Sequence, residues 1–220
     1  MVIEELLGEI CHQLPARCFT VAGVTMPACA RCSGIYLGVL LAAAFYAVPG
    51  RRRLFLHYPS RGAAALAAVA AGPCAVDFFF GWGGYPLFAG NGARFVASLF
   101  AGWGAWVLLA GAATRLRWGV APERRLDLGQ LAGSLAALLV PGLLVATPRP
   151  AAAKVFAGAT LVGAVAFYAL LNYLPLALFL HKKGYRLATG LVILCGLVAL
   201  AVAEIRWGRV VYANVAGMLH

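Results

Sequence analysis

The chain has 220 residues, 63% of them hydrophobic and 11% charged, with 26 glycines and a formal net charge of +11; its mean hydropathy is +0.88. That composition lies outside the range of soluble globular domains and indicates a polytopic membrane protein. The basic residues form short clusters between apolar segments instead of one continuous solvated face, which argues against nucleic acid as a partner.

Residues 1–28 differ in kind from the rest of the chain. Ile3, Leu6, Leu7 and Ile10 recur at helical spacing opposite Glu4, Glu5 and Glu9, which predicts a short amphipathic helix lying at the membrane interface and ending by Pro15. The same acidic residues stand where a cleavable signal peptide has its basic start, so the first span is expected to remain as an anchor. From Arg17 to Met26 a turn around Gly23 is expected.

Six apolar runs occupy the remaining sequence, near 30–49, 63–82, 92–113, 128–146, 154–179 and 187–205, each close to the ~20 residues a helix needs to cross the hydrocarbon core. They predict an all-α bundle of six transmembrane helices in one membrane domain, with a motif-bearing half at 29–113 and a second half at 114–220. Pro141 interrupts the fourth run and predicts a kink there. Gly34-x-x-x-Gly38 and Gly129-x-x-x-Gly133 predict close helix packing. The loops after spans one, three and five hold 11 of the 18 Lys and Arg residues, among them Arg51, Arg52, Arg53, Arg124, Arg125, Lys182 and Lys183. That bias places those loops in the cytoplasm and both termini outside the cell membrane. No Asn begins an N-glycosylation acceptor sequence.

Chemistry-bearing residues concentrate at the entry to the first span. Cys11, His12, Cys18, Cys29 and Cys32 place four of the six cysteines and one of the four histidines within 22 residues. Cys29 and Cys32, three apart, present both sulfurs to one side of a helical turn, suited to one metal ion or one disulfide. Cys11 and His12 supply the remaining ligand types of a Cys3His zinc site, although adjacent side chains diverge by about 100° on a helix, so both ligate only if the helix ends there. The narrower set is Cys29, Cys32 and one of Cys11 and His12, with Cys18 as a further candidate. The bland alternative is a set of small buried apolar cysteines. A c-type haem is disfavoured, because Ser33 stands where Cys-x-x-Cys-His requires histidine. The rival chemistry is thiol-disulfide exchange linked to a quinone, with Arg31 between the sulfurs favouring the thiolate and Cys11 and Cys18 as a relay.

Asp77 lies in an apolar stretch just before the outer end of the second span, where a carboxylate is costly and needs a partner. Arg94, at the start of the third span, is the expected partner. Asn91 is expected beside them and Cys74, one turn before Asp77, on the same cavity. With the predicted orientation, the Cys/His cluster and Asp77, Asn91 and Arg94 all fall at one outer-leaflet site. The alternative for the pair is a purely structural clasp, or a carboxylate used in ion or small-solute transport. Glu204, His57, His181 and His220 are read as interfacial or solvated.

The run Cys-His-Gln-x-Pro-x-Arg-x-Phe from Cys11 to Phe19, then Gly23, then Pro-x-Cys-Ala-Arg-Cys-x-Gly-Ile-Tyr-x-Gly from Pro27 to Gly38 resembles a family of prokaryotic integral membrane proteins catalogued as domain of unknown function 2085. Asp77 followed by Asn91-x-x-Arg94 resembles that family's second motif. The resemblance covers roughly residues 10–105, with Cys18 where the family has Ser and an apolar Phe-Phe-Phe-Gly stretch after Asp77 where it has polar Gly and Gln. It implies a site and no activity. The residues themselves lead to a zinc-like ion held by Cys29, Cys32 and Cys11 or His12. That ion orders the N-terminal segment over a cavity containing Asp77 and Arg94, which binds a lipid or small anionic ligand. With an open metal position, water activation with Asp77 as base and Arg94 on a lipid phosphate becomes available.

Overall fold

The computed structural model of the chain describes residues 7, 11, 15–47, 59–82, 87–88, 90–118 and 128–180. His12, the loop with His57, and everything beyond residue 180, including the expected sixth span, Glu204, His181 and His220, lie outside the described residues. So does most of the expected interfacial helix, of which Leu7 is described, helical and fully buried.

A short 3-10 turn at Pro15–Arg17 leads into strands β1 (Cys18–Val21) and β2 (Val24–Cys29), followed by helices α1 (Ala30–Ala47), α2 (Arg61–Trp82), α3 (Asn91–Trp118), α4 (Leu128–Ala136), α5 (Leu139–Ala146) and α6 (Pro150–Leu180). Among the described residues, five segments are long and apolar enough to cross a membrane: Ala30–Ala47, Arg61–Gly81, Asn91–Ala113, Gly129–Ala146 and Pro150–Tyr173. The all-α membrane bundle therefore stands, with five of its six expected spans among the described residues.

Where a turn is expected, the chain forms an antiparallel hairpin. Ala22 (φ 50°) and Gly23 (φ 79°) both have positive φ, the signature of a two-residue turn whose twist matches the strands it joins. β-branched Thr20, Val21, Val24 and Thr25 flank it, and residues of this type favour the pleated conformation. Val21 and Met26 are buried in one cluster with Leu37, Phe95, Leu99 and Phe156. Phe19 packs edge-on against Phe95, with ring centroids 4.9 Å apart. The hairpin is thus a lid docked on one end of the bundle, against the starts of α1, α3 and α6.

Within the bundle, α1 and α3 form the closest pair. A Cβ at Gly34 would lie 2.6 Å from the Phe95 carbonyl oxygen and 2.6 Å from Ser98 Cβ, so the predicted small-residue seam is real and packs against α3. Because lipid tails are as apolar as leucine, this close contact, not burial from water, holds the helices together. Val69, Phe79 and Phe80 on α2 are exposed, as suits a lipid-facing surface.

The expected fourth span is divided at Ala137 and Leu138. The kink expected at Pro141 thus appears one turn earlier, since a proline has no N–H for the carbonyl of residue 137. That carbonyl accepts instead from the Val140 N–H at 3.2 Å, and the Leu138 N–H donates to the Leu135 carbonyl at 3.0 Å. Ser134 steadies the break by accepting the Trp103 indole N–H at 2.9 Å and donating to the Leu131 carbonyl at 2.8 Å.

Candidate functional site

The end of β2 and the first turn of α1 bring the cysteines together. Cys29 is the last strand residue and stands at the N-cap of α1, where the backbone N–H groups of Arg31 and Cys32, which the helix itself leaves unpaired, help to lower its thiol pKa. Cys32 lies on the same turn. The third sulfur comes from Cys11, which accepts the Cys29 N–H at 3.1 Å and is buried with Leu7 and Ala28. The sulfurs of Cys11, Cys29 and Cys32 all lie within 4.8 Å of one another. In a tetrahedral zinc site with Zn–S of about 2.3 Å, neighbouring sulfurs stand roughly 3.8 Å apart, so small side-chain adjustments suffice to enclose an ion. Cys18 faces Cys29 across the ladder but is not one of the three converging sulfurs.

The trio is electrostatically uneven. Hydrogen bonds from Cys11, then from Cys32, and the two helix-end N–H groups hold the Cys29 thiol far below its ordinary range, against the opposing effect of burial. Cys11 moves up, chiefly because it donates to Cys29. Cys29 is thus the sulfur most disposed to ionise, at a helix N-terminus, the position that lowers cysteine pKa values in general. Burial pushes Cys18 up.

Arg31 is directed elsewhere than expected. Its guanidinium reaches across to Asp77 on α2, pairing with the carboxylate Oδ2 and donating to the Asp77 backbone carbonyl at 3.3 Å. The thiolate preference of Cys29 therefore comes from sulfur and backbone donors, not from the Arg31 charge. Arg94 on α3, the expected partner, stands with Nε 3.7 Å from the same oxygen, and the Phe88 N–H donates to Oδ1 at 3.1 Å. Asp77 is 1% exposed. One carboxylate thereby ties α1, the loop before α3, and α3. The Nε–H groups of Arg31 and Arg94 have no hydrogen-bond partner among the described residues.

Arg31 is the residue whose role the motif alone misassigns. The signal for its actual role is a cation in the first turn of an apolar helix, which needs a counterion as much as Asp77 does. Asn91 is used differently from a cavity residue: its side-chain amide donates to the carbonyls of Ala16 at 3.0 Å and Cys18 at 3.3 Å. At about 1 kcal/mol each, these bonds pin the lid to the start of α3. Cys74 is buried one turn below Asp77, its sulfur 3.3 Å from the Ser98 hydroxyl. The structure thus gathers Cys11, Cys29, Cys32, Asp77, Asn91 and Arg94 at one end of the bundle, and adds Arg31 as the link between the sulfur trio and the carboxylate.

No solved structure matches the chain. A stretch of 37 residues is 54% identical to the uncharacterized protein MJ1492 of Methanocaldococcus jannaschii, spanning 17% of this chain and 24% of that protein. The family model described as a predicted membrane protein, DUF2085, matches residues 11–108, the part of the chain that carries the sulfur trio, Asp77, Asn91 and Arg94.

Proposed function

We propose that the chain is a metal-binding membrane protein in which Cys11, Cys29 and Cys32 hold a zinc-like ion and the neighbouring Arg31, Asp77 and Arg94 receive an anionic group, lipid phosphate among the candidates. The observation that carries the reading is the convergence of three sulfurs within 4.8 Å, contributed by residues as far apart as 11 and 32. Three thiolates suit zinc, which takes a fourth ligand; His12, next to Cys11, is the sequence neighbour that supplies one. The ion would clamp the N-terminal segment onto the hairpin lid. Asp77 already engages both carboxylate oxygens, which favours a positioning role over that of a base.

Elemental analysis of the purified protein, with thiols counted before and after reduction, tests this reading. About one zinc per chain with reduced cysteines is expected, the stoichiometry of a closed structural site. No metal together with a Cys29–Cys32 disulfide would instead favour the quinone-linked exchange chemistry.

The site lies on the outer face, together with the N-terminus, and the support is the excess of Lys and Arg in the loops at the opposite end. A membrane-impermeant maleimide added to intact cells is expected to label the protein at Cys18. Labelling that requires opened cells would reverse the orientation.

A further inference from the structure

Helices α1 and α2 both pack on α3, and between them remains a cleft of about 300 Å³. Ile35 of α1, Ala71, Ala75 and Phe78 of α2, and Ala101 and Ala105 of α3 line it. Among the described residues Arg31 is the one charged residue on its wall, with its guanidinium 5.6 Å from the centre of the Phe78 ring. The depth follows from helix geometry. Ala71 and Phe79, both on its wall, are eight residues apart on α2, or about 12 Å at ~1.5 Å per residue. One leaflet contributes about 15 Å of the ~30 Å hydrocarbon core, so the cleft runs through most of one leaflet.

The upper end carries a charge imbalance. Arg31 and Arg94 share the carboxylate of Asp77, leaving one positive charge in excess among the described residues. Both Nε–H donors lack partners among the described residues, and the Arg31 side chain is 20% exposed. An apolar slot most of a leaflet deep beneath two guanidinium groups that share one carboxylate matches a molecule with a hydrocarbon chain and an anionic head. Arginine forks suit phosphate in particular.

We infer that this cleft takes one acyl chain of a phosphate-bearing lipid, whose phosphate lies against Arg31 and Arg94. The inference rests on the anionic-ligand part of the reading above and not on the metal.

The test uses the full chain in phosphatidylcholine nanodiscs and two photoreactive probes with the same diazirine-bearing chain, a phosphatidic acid and a diacylglycerol. Crosslinks are mapped by peptide mass spectrometry. The phosphatidic acid probe is expected to label peptides containing Ala75, Ala101 or Ala105 about tenfold more than the diacylglycerol, the ratio that loss of a charge-assisted hydrogen bond gives. Arg31→Gln is expected to remove that preference. Ala101→Phe fills the cleft and is expected to abolish labelling, and the smaller Ala105→Leu to reduce it in proportion, while zinc content stays at the wild-type level. Equal labelling by both probes would overturn the inference in favour of unspecific bilayer contact. Displacement of the probe by an equal concentration of inorganic phosphate would identify soluble phosphate as the ligand, and undiminished labelling in both filled variants would place the chain elsewhere. Zinc-free protein that still shows the lipid preference would sink the metal reading alone.

Discussion

Cys29→Ser is expected to empty the metal site while leaving the helix start intact. Cys29 stands at the N-cap of α1, where the N–H groups of Arg31 and Cys32 lower its thiol pKa; serine is among the preferred N-cap residues and can accept helix-end N–H donors. What serine cannot supply is a thiolate. Altering an outer partner of a metal ligand alone costs about 10–100-fold in affinity, so replacing the ligand itself is expected to cost more than about 100-fold and bring zinc down to background. Cys18→Ser, outside the sulfur trio, is the matched control and should retain its zinc. Affinity in the wild type should fall as the pH is lowered, because protons compete for the thiolates. Elemental analysis of both variants decides the matter: a Cys29→Ser protein with a full complement of zinc would remove the trio from consideration as the metal centre.

Asp77→Asn should be the most destabilising single change at this end of the bundle. The carboxylate is the shared counterion of Arg31 and Arg94, and it is 1% exposed. Removing its charge leaves two guanidinium groups facing each other at the lid, and breaking a buried ion pair in this way typically costs on the order of 3–5 kcal/mol. Asparagine keeps an oxygen for the Phe88 N–H, so the loss isolates the ionic contribution. The expected readout is a lower unfolding temperature in detergent, together with faster proteolysis of the hairpin. Combining Asp77→Asn with Arg31→Gln should restore part of the loss, since one of the two unpaired cations is gone. A variant as stable as the wild type would show that the arginines find other counterions.

Much of this architecture is legible in residue patterns. The apolar runs predict the spans because a helix satisfies its backbone internally and its length is dictated by the bilayer. The glycines at 34 and 38 announce a close helix contact because nothing larger fits one. The pairing of Asp77 with Arg94 follows from the cost of leaving either alone in an apolar segment. The hairpin is harder to see: four β-favouring residues around Ala22 and Gly23 are too short a signal beside a long membrane span, and a two-stranded ribbon is marginal without a partner surface. Its stability comes from Val21 and Met26 packing against Phe95 and Phe156, residues distant in the chain.

The direction of Arg31 is not legible at all. Its neighbours along the chain are Cys29 and Cys32, yet its guanidinium pairs with a carboxylate 46 positions away. By itself the sequence determines the membrane class, the length of each span and the identity of the groups that cannot remain unpaired, because these follow from local composition and the cost of burying charge. Only the tertiary structure decides which of those groups meet. The close α1–α3 seam and the docking of α2 on α3 place Arg31, Asp77 and Arg94 at one level, bring Cys11 onto the first turn of α1, and leave beneath them a cleft that no run of residues encodes.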